Sequence, residues 1–153
     1  MTLKTAIVLT VASPVLATVA LTTLIAGPAE AHHDQDAPKH TWSGIYTADQ
    51  AKRGEAAYAK SCGSCHAPDL AGDVAPSLTG AEFSAGWNDQ SAQDLADRIQ
   101  TTMPADGPGT LSRQQAVDIT AYIFSKDGFP SGDTELPIDV AVLKQIKILT
   151  RKP

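Results

Sequence analysis

The sequence is poor in the residues from which zinc sites, disulfide frameworks and aromatic cores are built. It has two cysteines and two methionines, and aromatic residues make up only 5% of the chain. With no second cysteine pair, a structural zinc site of the usual kind lacks ligands. So few aromatic side chains provide little material for a packed interior, and we therefore expect a bound group to help fill the core.

Runs of positive charge and of alternating apolar residues are also missing. The formal net charge is -5 with a pI near 5.2, and no Lys- or Arg-rich run is interleaved with aromatic residues. This composition excludes nucleic-acid binding as a function class. No internal repeat and no strand-like alternation is present, so we predict an all-α domain with long loops.

The first 31 residues have the pattern of a secretory signal peptide. Lys4 precedes an uncharged run from Thr5 to Ala29, and Ala29-Glu30-Ala31 has the small-x-small form of a signal-peptidase site. We expect cleavage after Ala31, export to the periplasm, and a flexible polar leader over residues 32–45. An uncleaved membrane anchor facing the periplasm is the alternative, because the run is long enough to cross a bilayer core of ~30 Å.

Helix-start signals occur at three places in the rest of the chain. Thr47, Ser91 and Ser112 are each followed three residues later by Gln or Asp, which is the capping-box pattern. They predict helices from Ala48 to about Lys60, from Ser91 to about Thr102, and from Ser112 to about Lys126. Residues 67–87 are rich in Pro and Gly and predict an irregular loop, and a short helix is expected over residues 140–146.

The strongest chemical signal lies at the end of the first predicted helix. Cys62-Gly63-Ser64-Cys65-His66 is the Cys-x-x-Cys-His pattern of c-type haem attachment, in which two thiols bond the haem and the imidazole ligates its iron. A thioredoxin-like dithiol, a zinc site and a plain disulfide are the alternatives. The first needs a βαβ pattern, the second needs further ligands, and the third does not explain His66.

A candidate for the other axial position follows from elimination. Once Met1 has left with the leader, Met103 is the one thioether of the mature chain, and it directly follows a predicted helix. Thioether ligation suits an electron carrier because it raises the reduction potential. We therefore predict His66 and Met103 as the two axial ligands of a single haem c.

In the order of these elements, residues from about Tyr46 to Phe129 resemble the class I cytochrome c family. The resemblance implies a cytochrome c-like fold of three to five helices around one covalent haem, within a domain over residues 46–130 that is followed by a tail over residues 131–153. It implies that Gly54 and Tyr58 meet Tyr122 where the first and last helices cross. It further implies that the Pro76 carbonyl accepts from the ring of His66, and that Trp87 either binds a haem propionate or packs in the core.

Three short elements resemble small bacterial cytochromes and the cytochrome domains associated with quinoprotein dehydrogenases. They are Trp-Asn at 87–88, Thr-Thr-Met-Pro at 101–104 and Gly-Phe-Pro at 128–130. The resemblance implies an electron carrier, not an enzyme, that takes electrons from a redox partner such as a quinoprotein dehydrogenase. A haem peroxidase, or a sensor of gases or peroxide with a labile sixth ligand, is the alternative function.

Overall fold

The computed structural model describes residues 39–153, which contain a 3₁₀ turn at Thr41–Ser43 and six α-helices. The helices are α1 Ala48–Ser61, α2 Gly63–His66, α3 Gly80–Trp87, α4 Ala92–Thr102, α5 Arg113–Lys126 and α6 Val140–Lys144. Within this range the extended chain forms two isolated bridges and no strand, so the all-α prediction is confirmed. The described residues have six helices where three to five were predicted, and two of the six, α2 and α6, are short, with four and five residues. The predicted signal peptide and most of the predicted leader lie outside the described residues.

The three predicted helix starts are confirmed, with one difference in side-chain use. Ser91 and Ser112 form complete capping boxes at α4 and α5. At α1 the Thr47 hydroxyl accepts from the Gln50 amide at 3.1 Å, but the Gln50 side chain does not bond back to Thr47. It is buried and forms two hydrogen bonds, of 2.9 and 2.7 Å, with the backbone of Leu136. A tertiary contact has therefore replaced half of the local capping motif.

The prediction of an irregular loop over residues 67–87 is wrong for the last eight residues, which form α3. Gly80, the first residue of α3, donates its backbone N–H to Asp127 Oδ1 at 2.9 Å, and Phe83 is buried in the core. An oxygen acceptor at a helix N-terminus satisfies a backbone N–H that has no partner within the helix. The hydrogen bond comes from the end of α5, which is distant in sequence, and together with the burial of Phe83 it outweighs the low helix propensity of the two glycines in α3.

Helices α1 and α5 cross at a glycine. A Cβ on Gly54 would lie 1.9 Å from the carbonyl oxygen of Asp118, so only glycine permits this approach. Near the crossing, the rings of Tyr58 and Tyr122 pack with centroids 5.4 Å apart. The predicted meeting of Gly54, Tyr58 and Tyr122 is thus present in the structure.

The segment after α5 is packed onto the helices. Four of its apolar side chains, Leu136, Leu143, Ile146 and Ile148, are at most 2% exposed. Arg53 on α1 adds a polar link, because it bonds both to Asp118 on α5 and to Glu135 in this segment. Residues 136–148 therefore contribute to the core.

The chain before α1 pairs with the chain after α6. The hydroxyl of Thr41 and the indole N–H of Trp42 both donate to the Leu149 carbonyl, at 2.9 and 2.8 Å. The backbone N–H of Thr41 also donates to the Lys147 carbonyl at 3.0 Å. Residues 39–153 belong to one compact unit, so the packed region extends beyond 46–130 on both sides. Among the helices of residues 39–153, none is both long and apolar enough to span a membrane.

Candidate haem-attachment site

The two cysteines and His66 are brought together by a single turn. Cys62 ends α1, where its N–H donates to the Tyr58 carbonyl at 2.8 Å. Its own carbonyl accepts from the N–H groups of Cys65 and His66, at 3.1 and 3.0 Å, and so begins α2. The break between α1 and α2 thus places both thiols and the imidazole within five consecutive residues.

The environment of Cys62 does not suit the attacking thiol of a dithiol redox enzyme. Cys62 and Cys65 are free, the first buried and the second exposed. Burial, followed by the influence of Cys65, raises the pKa of the Cys62 thiol to about 11. A redox-active cysteine needs a lowered pKa because the thiolate is the reactive form. The buried Cys62 therefore argues against the thioredoxin-like alternative.

The ring of His66 is oriented by a backbone carbonyl. Its Nδ1 lies 2.8 Å from the Pro76 carbonyl oxygen, which is the contact that the family resemblance implied. With the proton on Nδ1, the Nε2 atom is free to ligate a metal. The loop between them is tied back to α2, because Gly72 N–H donates to the His66 carbonyl and Ala75 N–H to the Cys65 carbonyl, each at 3.0 Å.

Five of the six predicted site residues line one cavity of about 500 Å³: Cys62, Cys65, His66, Pro76 and Met103. Met103 reaches it from the C-terminal end of α4. Sequence reasoning missed Val74 and Ala105, which complete the apolar walls together with Ala75 and Pro104. In the sequence, the sign that Val74 and Ala105 belong to the site is that they lie close to Pro76 and Met103. Lys60 and Asp106 are the two charged residues of the lining.

Trp87, the sixth predicted residue, does not line this cavity. It ends α3 and packs, partly buried, against the core, so its binding to a propionate stays a prediction. His40 is also elsewhere: its Nδ1 accepts from the Trp42 amide at 3.2 Å, and it is not a lining residue of the cavity. In residues 39–153 no group of three His, Cys, Asp or Glu side chains is arranged to hold a metal ion.

The donor set of the cavity fits a covalently bound haem. Two thiols on one turn, an imidazole with a fixed tautomer, a thioether and mostly apolar walls are the groups that such a cofactor requires. An all-α fold with this arrangement at the end of its first helix defines a c-type cytochrome.

The comparison with protein-family models agrees with this class. Residues 49–123 match the family model described as "Cytochrome C oxidase, cbb3-type, subunit III". This match covers 75 of the 153 residues and supports a class I c-type cytochrome, a class that transfers electrons by means of haem. Among solved structures, the sulfane dehydrogenase SoxCD from Paracoccus pantotrophus matches at 22% identity with a TM-score of 0.44. That match covers 60% of this chain and 55% of the other. No curated protein matches.

Proposed function

We propose that this cytochrome is an exported carrier of single electrons with one haem, bonded through Cys62 and Cys65 and ligated by His66 and Met103. The cavity that brings these four side chains together carries the proposal. A bound haem supplies an iron that alternates between the ferrous and ferric states. The chain's own residues hold the ring covalently, fix the tautomer of His66 through Pro76, and enclose the group in apolar walls.

The alternative of a peroxidase or gas sensor receives no support from the described residues. Such proteins need polar groups on the distal side of an open iron position. Here the wall beside Met103 is formed by Pro104, Ala105 and one acidic residue, Asp106, and His40 caps the 3₁₀ turn instead.

The proposal is tested by the linkage and spectrum of the bound group. Purified protein from a host with c-type haem maturation should keep its colour and haem mass after denaturation and acid-acetone extraction. Its pyridine haemochrome should show two thioether bonds and one haem per chain. Extraction of the haem into acetone would contradict the proposal, as would a ratio other than one.

We further propose that the electron donor is a separate redox protein, for which a quinoprotein dehydrogenase is the class suggested by the Trp-Asn, Thr-Thr-Met-Pro and Gly-Phe-Pro elements. Exposed apolar residues stand at the mouth of the cavity, among them Val74, which is 79% exposed, and Pro76. Transient electron-transfer interfaces are small, below ~1,200 Å² in total. Rapid reduction of the ferric cytochrome by such a dehydrogenase, without a complex that survives gel filtration, is the expected result.

A further inference from the structure

Tyr58 forms a hydrogen bond to the backbone immediately beyond His66. Its hydroxyl donates to the Ala67 carbonyl at 2.6 Å, and its side chain is only 1% exposed. One side of the ring packs against Tyr122 on α5. The hydroxyl of a residue in α1 is thus fixed against the loop that leaves the haem-attachment turn.

The backbone at Ala67 has a conformation that L-residues rarely adopt. Its φ is 64° and its ψ is 154°, in a region that is populated almost entirely by glycine. Such strain persists where surrounding contacts hold the backbone in place. The Ala67 carbonyl has two donors, the Tyr58 hydroxyl and the Leu70 amide at 3.2 Å.

We propose that Tyr58 is a positioning residue for the axial ligand His66, acting through the Ala67 carbonyl. The inference rests on the proposed function, because it assigns His66 to the iron. Two restraints then hold His66 from opposite ends: the Pro76 carbonyl contacts its ring, and the Tyr58 hydroxyl donates to the carbonyl of the next residue, Ala67.

The restraint has a chemical consequence for the ligand. A hydrogen bond from Nδ1 raises the basicity of an axial imidazole, and a more basic imidazole favours ferric iron. When the hydroxyl of Tyr58 is absent, the strained Ala67 peptide relaxes and the bond between Nδ1 and Pro76 is less well maintained. The reduction potential should therefore rise.

The chain offers a matched control for the loss of this hydroxyl. Tyr46 is also buried, and its hydroxyl donates to a backbone carbonyl, that of Phe129, at the same distance of 2.6 Å. Phe129 is not one of the residues that line the cavity. Tyr58→Phe and Tyr46→Phe each keep their ring and lose one buried bond of the same kind.

The experiment compares the two variants in the full-length, haem-loaded protein. We expect both to melt at lower temperature than the wild type, but only Tyr58→Phe to show a higher reduction potential and shifted NMR signals of the His66 ring. Only Tyr58→Phe should speed hydrogen exchange of the Leu70 amide severalfold. If the two variants change these three readouts alike, or neither changes them, Tyr58 is structural only and the proposal is overturned.

A third substitution tests the route through Ala67. Glycine adopts the observed backbone conformation without strain, so Ala67→Gly should reduce the shift in potential caused by Tyr58→Phe. An equal shift in both backgrounds would overturn the action through Ala67. A wild-type protein without covalent haem would overturn the proposed function and this inference together. Failure of the role of Tyr58 alone would leave the covalent haem in place, so the two outcomes are distinguishable.

Discussion

Gly54 on α1 lies so close to Asp118 on α5 that a Cβ at position 54 would stand 1.9 Å from the carbonyl oxygen of Asp118. Backbone cannot move aside as the end of a flexible side chain can, and the Cβ of Tyr122 would be only 2.9 Å away. The crossing also places the Tyr58 ring, and with it the start of the haem-attachment turn, against α5. The packing of the two helices thus determines where the site begins.

We predict that Gly54→Ala destabilises the protein despite the better helix propensity of alanine. Propensity favours alanine by up to ~1 kcal/mol, whereas overpacking of a tight contact costs ~1–3 kcal/mol or more. The free energy of unfolding should therefore fall. Gly86→Ala in α3 is the control, because a Cβ there meets nothing within 4 Å, and it should stabilise slightly. Denaturant titration measures both, and a Gly54→Ala protein as stable as the wild type would disprove the packing argument.

Local signals in the sequence were sufficient for the principal helices. Capping residues and apolar spacing predicted α1, α4 and α5, and the haem motif gave the position of the turn between α1 and α2. These features are encoded within a few residues of one another. Met103 was predicted by elimination of the other methionine, and Pro76 was predicted from the family resemblance. The cavity joins both residues to the turn from other parts of the chain.

Features that depend on distant contacts were not predicted. Helix α3 begins at a glycine capped by Asp127, 47 residues away, and Gln50 bonds to Leu136 across 86 residues. The burial of Leu136, Leu143, Ile146 and Ile148 and the hydrogen bond from Tyr58 to Ala67 likewise arise only once the chain is folded. A polar residue gives no sign in the sequence of which distant backbone group it will meet.

Without haem the chain should not fold cooperatively. The sequence is poor in aromatic residues, and the cavity between α2 and Met103 has a volume of about 500 Å³ that the protein alone leaves unfilled. Replacing Cys62 and Cys65 with alanine removes both covalent attachments, so we expect a broad, non-cooperative melt by circular dichroism. Ser64→Ala, which alters an exposed residue between the two cysteines, should attach haem and melt like the wild type. A sharp native-like transition in the double variant would contradict this expectation.

Asp127 should make stability depend on pH. One of its carboxylate oxygens accepts from Gly80, and the other is buried without a partner among the described residues. Burial, opposed by the bond from Gly80, raises its pKa to about 6 from an ordinary value of 3.8. The pKa of Asp127 is higher in the folded than in the unfolded protein. The contribution of protonated Asp127 to the free energy of unfolding is therefore fully present below pH 3.8 and is lost as the pH rises through about 6.

We therefore predict that Asp127→Asn stabilises the protein at neutral pH and has little effect in acid. The amide keeps an oxygen for Gly80 and removes the buried charge. A shift of about two pKa units corresponds to roughly 3 kcal/mol, and solvent screening of this partly exposed group lowers the expected gain to on the order of 1 kcal/mol. Denaturant titrations of both proteins from about pH 4 to pH 8 would measure the difference. A difference that does not change with pH would contradict the prediction.

Export should leave a mature protein that begins at His32. The uncharged run before Ala29-Glu30-Ala31 supports cleavage after Ala31. N-terminal sequencing of the haem-loaded protein from the periplasmic fraction is the measurement. Ala29→Lys with Ala31→Lys should block cleavage and leave the longer chain in the membrane fraction, because a signal-peptidase site requires small residues. Recovery of the wild type in the membrane, with residues before His32 intact, would favour the anchor.

Ligation of the haem iron by Met103 would distinguish an electron carrier from a haem enzyme. It lies at the C-terminal end of α4, and it lines the same cavity as His66. Helix α4 is held firmly, because its capping box is complete and Leu95, Ala96 and Ile99 are buried. A thioether on a well-anchored helix is suited to remain a ligand in both oxidation states. A closed sixth position excludes small external ligands, and a thioether raises the reduction potential.

Met103→Ala should therefore lower the reduction potential and allow the ferrous protein to bind carbon monoxide, while Cys62 and Cys65 retain the haem. The wild type should bind carbon monoxide poorly, and its ferric spectrum should show the sulfur-to-iron charge-transfer band in the far red. Met103→His is the matched control, because an imidazole at the same place should again exclude carbon monoxide without restoring that band or the high potential. Titration with carbon monoxide and potentiometry follow all three proteins. Ready binding of carbon monoxide by the wild type, or a ferric spectrum without the band, would show that Met103 is not the ligand. Either result would favour the alternative function of a sensor or peroxidase.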